Sequence, residues 1–215
     1  MDFASRWPQS RGEEIANALS HGAGLLAVAI GTPILLFAAS ARGSRGFLIG
    51  SAIFAATMVL LYLGSTAYHS WPRTRFKAAL QVVDHSAIFL LIAGTYTPLT
   101  LGPLSGPRGW TVLACVWIAA AAGVLLKVTR GVHHRPRLAV ALYLTMGWLV
   151  LLVIRPLSRA LPAESMCWLA AGGLFYTLGL YFFVRDDRRY RHFIWHLFVL
   201  GGTASHYLAV LTYAA

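Results

Sequence analysis

Acidic residues are scarce in this chain. Asp and Glu together number 7 among 215 residues, against 18 Lys and Arg, so the formal net charge is +11. Cysteine is almost absent: Cys115 and Cys167 are the only two, both fall inside apolar stretches, and neither a disulfide framework nor a thiolate metal site can be built from them. The sole lysines, Lys77 and Lys127, fall at loop edges. No lysine is therefore placed inside a span to carry a retinal Schiff base. Neither His-Glu-x-x-His nor Gly-x-Ser-x-Gly occurs, which excludes the familiar zinc and serine intramembrane proteases. No paired broken segments repeat between two halves, as a transporter would show. The first apolar run is too long for a signal-peptide core and acidic residues precede it, so it reads as a retained helix.

Apolar residues are what the chain has in excess. They make up 58% of it, against the 45–50% of ordinary soluble domains, and the mean hydropathy is +0.64. Runs of about twenty apolar residues, each enough to cross ~30 Å of hydrocarbon, recur along the whole length. Seven spans are expected near 15–40, 46–69, 78–101, 109–126, 135–155, 163–184 and 190–213, with short loops of Gly, Pro, Arg and Ser between them. The expectation is an all-α membrane protein, a single seven-helix bundle over 1–215, with 1–14 as a short N-terminal segment. The basic charges lie between spans, which argues for a membrane protein and against nucleic acid as a partner.

Charge also orients the chain. The N-terminus and the second, fourth and sixth loops hold thirteen of the eighteen Lys and Arg, from Arg6 and Arg11 to Arg188, Arg189 and Arg191. The other side holds five: Arg42, Arg45, Arg108, Arg155 and Arg159. By the positive-inside rule the N-terminus is expected in the cytoplasm and the C-terminus outside.

On this topology the polar residues share one depth. Glu14, Asn17 and His21 lie in the first turns of the first span, Ser65 and His69 in the last turns of the second, and Asp84 about two turns into the third. His192 and His196 open the seventh. All belong to the cytoplasmic half, and polar groups at membrane depth mark function by default. His192 and His196, four apart, put two imidazoles on one helix face. His69 is the natural third ligand of a three-His site whose fourth position stays open, the arrangement of catalytic zinc, although other first-row ions suit it as well. Such a zinc makes hydroxide available from water near neutral pH. Ser65, one turn before His69, can hydrogen-bond the metal water or a substrate carbonyl. Asp84, the one acidic residue well inside a span, can serve as general base.

The remaining polar residues carry plainer readings. Glu14, Asn17 and His21 either cap the first helix or brace the metal site. His206, ten residues past His196 and so ~15 Å deeper, is an interhelical or substrate-path residue. His85 points about 100° away from Asp84 and reads as support or packing. His133 and His134 sit in a basic loop and read as solvated.

These residues resemble the motifs of the hemolysin III family, the bacterial branch of the progestin and adipoQ receptor (PAQR) superfamily. Glu14-x-x-Asn17-x-x-x-His21 is similar to its first motif, and Ser65-x-x-x-His69 to that of its second helix. Asp84-His-Ser-Ala-Ile88 with Gly94-Thr-Tyr-Thr-Pro98 is similar to that of the third, and His192-x-x-x-His196 with His206 to that of the last. The resemblance implies a multi-pass protein of the bacterial inner membrane with an intramembrane zinc on His69, His192 and His196, and with Asp84 and Ser65 nearby. Related proteins, the alkaline ceramidases among them, imply zinc-dependent hydrolysis of a lipid amide or ester, with membrane lipid as substrate. The alternative is a non-enzymatic protein with structural zinc, acting in membrane homeostasis or sensing, or as a cytolytic factor. The receptor members carry long N-terminal extensions that this sequence lacks.

Overall fold

A computed structural model describes residues 9–132 and 136–214. Arg6, Arg135, His133 and His134 of the sequence reading lie outside the described residues. Among the described residues eight α-helices run in order: α1 (Arg11–Ala41), α2 (Arg45–Ser70), α3 (Arg75–Leu101), α4 (Pro107–Arg130), α5 (Pro136–Trp148), α6 (Ile154–Ala160), α7 (Ala163–Val184) and α8 (Arg191–Ala214). No strand occurs among the described residues. Among the described residues seven segments are long and apolar enough to span a membrane, the fifth being made of α5 and α6 together.

The helix starts are written in the sequence. Ser10 and Glu13 form a capping box: the Glu13 carboxylate accepts from the Ser10 N–H at 2.9 Å while Ser10 Oγ accepts from the Glu13 N–H. This cap starts α1 at Arg11, so Glu14 is already helical. Ser44 and Thr74 cap α2 and α3. Gly106, at φ +122°, lets the chain turn sharply into Pro107, the first residue of α4, where the missing proline N–H costs nothing.

The fifth crossing departs from the continuous helix expected over 135–155. It breaks at Trp148, runs as a 3₁₀ turn through Leu149–Val153, and resumes as α6. Pro156 has no N–H to give the Leu152 carbonyl, so the regular ladder cannot continue there. The Tyr96 hydroxyl of α3 repairs the break. It donates to the carbonyls of Met146 and Gly147 at 2.8 Å each and accepts from the Val150 N–H at 2.9 Å.

The bundle is inverted relative to a soluble protein. Leu19, Leu26, Ile30 and Phe37 of α1 face outward, whereas Asn17 and His21 of the same helix are buried. With lipid outside, helices associate by close packing and interhelical hydrogen bonds rather than by a hydrophobic drive. Close approach needs small residues: a Cβ on Gly50 of α2 would stand 2.6 Å from Pro98 Cα of α3. α1 packs on both α2 and α8, and this places the start of the first helix between the end of the second and the start of the last.

Candidate metal centre

His69 stands in the last turn of α2, and His192 and His196 stand in the first two turns of α8. All three are buried, and one ligand nitrogen from each lies within 4.8 Å of the other two. The ring centroids are 5.2 Å apart for His69 and His192, 5.0 Å for His69 and His196, and 4.7 Å for His192 and His196.

Two of the other ring nitrogens, those of His69 and His196, are hydrogen-bonded from outside the triangle, and that of His192 has an ion-pair contact without a hydrogen bond among the described residues. His69 Nδ1 lies 2.7 Å from Glu14 Oε2, His192 Nδ1 3.3 Å from Asp186 Oδ2, and His196 Nδ1 3.3 Å from the Asn17 carbonyl and 3.2 Å from Ser20 Oγ. A histidine held through Nδ1 by a carboxylate or carbonyl presents Nε2 as the free donor, the arrangement of histidines that bind metal. His69 Nε2 is buried and has no hydrogen-bond partner among the described residues. An unsatisfied buried nitrogen costs about 1–3 kcal/mol. A divalent ion in the triangle would satisfy it, and an all-imidazole donor set suits zinc among the first-row ions. The residues present fit such an ion.

Helix α1 is the brace. Glu14 also accepts from Lys77 Nζ at 2.9 Å, so one carboxylate joins α1 to α2 and to the start of α3. His21 lies flat on His196, centroids 3.6 Å apart and planes at 8°, with its edge toward Tyr62. One turn on, a Cβ at Gly24 would meet Leu200 and Tyr62 at 2.7 Å, so glycine is what lets α1 come this close. The cap of α1 is made by Ser10 and Glu13, while Glu14, Asn17 and His21 contact the histidines of α2 and α8.

Asp84 is buried on α3 within electrostatic reach of His69 and His192, with the Ser65 side chain of α2 beside it. Ser65 Oγ is itself buried. Gly64 keeps the two helices close here, since a Cβ would stand 3.2 Å from Val83 Cγ1. Phe183 and Trp195 form an apolar wall at the side, with Phe183 6.5 Å from the His192 ring and 5.1 Å from that of Trp195.

Two histidines lie away from the triangle. His85 is buried 6.0 Å from the Phe183 ring, and its carbonyl accepts from Tyr143. His206 packs between α7 and α8, its Nε2 3.3 Å from the Leu169 carbonyl and its ring against Gly172. Asp186, Ser20 and Glu13 escaped the sequence reading. Asp186 comes from the α7–α8 connection, held by the Tyr190 N–H donating to Glu13 Oε1 at 2.8 Å. An acidic pair inside a basic loop was the only sequence sign of it; Ser20 gave none.

Comparison with known proteins places these residues in a family. The family described as "Haemolysin-III related" matches residues 9–207. Hemolysin-3 of Bacillus cereus is 40% identical over 209 residues, covering 97% of this chain and 95% of that protein. A hemolysin-3 homolog of Bacillus subtilis (strain 168) is 41% identical over 201 residues, 94% of each. The human monocyte to macrophage differentiation factor is 32% identical over 173 residues, 75% of this chain and 68% of the human protein. No solved structure matches.

Proposed function

The chain belongs to the haemolysin-III related family, and from that premise we propose that it is a zinc protein of the bacterial inner membrane that hydrolyses a lipid amide or ester. The observation carrying this reading is the convergence of three buried imidazoles beside Asp84, a carboxylate at membrane depth. Zinc held by His69, His192 and His196 supplies the Lewis acidity that polarises a carbonyl and acidifies water. Asp84 takes the proton of the attacking water at a carboxylate oxygen and returns it to the leaving group. Ser65 Oγ donates to the substrate carbonyl oxygen. Glu14, Asn17 and Ser20 hold the imidazoles so that they need not reorganise during reaction. Phe183 and Trp195 keep bulk water away. With the N-terminus in the cytoplasm, the substrate is a membrane lipid whose scissile bond reaches the cytoplasmic half.

The experiment is release of fatty acid by purified protein from a broad panel of lipid amides and esters, with and without metal. Metal-dependent release supports the reading. Fully loaded protein that is inert across the panel overturns it.

A second reading is favoured by the names of the Bacillus relatives, which are hemolysins. Here the metal fastens helices together and the protein lyses target membranes. Dye leakage from liposomes tests it: the absence of leakage at any protein-to-lipid ratio removes it.

A further inference from the structure

The face opposite the histidines carries few cations, yet three of them meet at one place. Arg108 lies in the first turn of α4, and Arg155 and Arg159, four residues apart on α6, share one helix face. With Leu151, Leu152 and Pro156 they line a groove of 470 Å³. All three arginines are exposed, and among the described residues none of their guanidinium groups has a carboxylate partner. Arg155 and Arg159 repel one another across a single turn. Glu164, the acidic residue at this end of α7, accepts instead from Trp168 Nε1 at 3.4 Å.

The groove is a product of the broken fifth crossing. The 3₁₀ turn carries Leu151 and Leu152, which are 54% and 78% exposed. The result is an apolar floor under a cationic rim at the end of the helices. A free inorganic anion would use only the rim, and a neutral lipid only the floor. An anionic amphiphile uses both, and it removes the repulsion between the arginines.

We infer that this groove binds an anionic phospholipid, with the phosphate among Arg108, Arg155 and Arg159 and an acyl chain along Leu151 and Leu152. The site lies on the side that the positive-inside rule depletes of Lys and Arg, so three unpaired arginines there go against the general trend. It shares no residue with the histidine triangle and stands or falls apart from the hydrolase reading.

The test uses the full-length protein in neutral detergent and follows its melting temperature during titration. The probes are short-chain phosphatidylglycerol, phosphatidylcholine with the same chains, and inorganic phosphate. The expected result is saturable stabilisation by phosphatidylglycerol alone, with affinity roughly tenfold or more weaker in the Arg108→Gln/Arg155→Gln/Arg159→Gln variant. Equal stabilisation by phosphatidylcholine, full stabilisation by phosphate, or an unchanged response in the triple variant would overturn the inference. The single variants Arg155→Gln and Arg159→Gln make the same comparison if the triple variant does not fold.

Discussion

Glu14 Oε2 lies 2.7 Å from His69 Nδ1, while Oε1 of the same carboxylate takes Lys77 Nζ at 2.9 Å. One side chain of α1 thus orients His69, a proposed ligand on α2, and is itself held by α3. Removing such a partner weakens metal binding by about 10–100-fold. Glu14→Ala is expected to lose affinity in that range, and Glu14→Gln less, because an amide oxygen still accepts from Nδ1–H. Competition against a chelator of known affinity measures both.

Elemental analysis of the purified protein is expected to find about one metal per chain, lost in His69→Ala, His192→Ala and His196→Ala. Bound metal is also expected to fall as the buffer is acidified, because a ligating imidazole must be unprotonated and protons compete for the same nitrogens. Full metal in any one of the three alanine variants would remove that residue from the ligand set.

Asp84→Asn keeps the volume and removes the base. The variant is expected to fold and retain metal while losing hydrolysis by roughly 10²-fold or more. A reading in which the metal only fastens helices expects little change. Fatty acid release and metal content, measured on one sample, separate the two.

Tyr96→Phe deletes the hydroxyl that bridges the break in the fifth crossing. The Val150 N–H and the Met146 and Gly147 carbonyls lose their shared partner. A loss of about 1–3 kcal/mol is expected, read as a lower melting temperature, with metal content unchanged because the break is remote from the histidines.

The crossings were legible because hydropathy needs only length and composition. The site was legible in outline because polar residues at membrane depth are few, and those on α1, α2, α3 and α8 occupy one depth. The i, i+4 spacing of His192 and His196 added a shared face. A brace from Glu14, Asn17 and His21 was one of two readings, but its pairings were not legible, since joining Glu14 to His69 and His21 to His196 depends on which helix neighbours which, and seven spans permit many arrangements. The break at Trp148 was hidden for a related reason. Pro156 warns of a disturbed ladder, but the position of the turn depends on Tyr96, a residue of another helix. Asp186 was hidden because loop charges are ordinarily solvated, and its approach to His192 depends on the fold of the α7–α8 connection, which the Glu13–Tyr190 and Arg191–Asp187 contacts help to hold.

The histidine triangle draws one corner from the second helix and two from the eighth, and α1 closes around it. During synthesis His69 is therefore threaded into the bilayer long before its partners exist. The triangle cannot be assembled until the last crossing has been inserted, so on the proposed reading loading of an ion would mark a finished protein, and a ribosome stalled before His192 would leave behind a chain with no such centre.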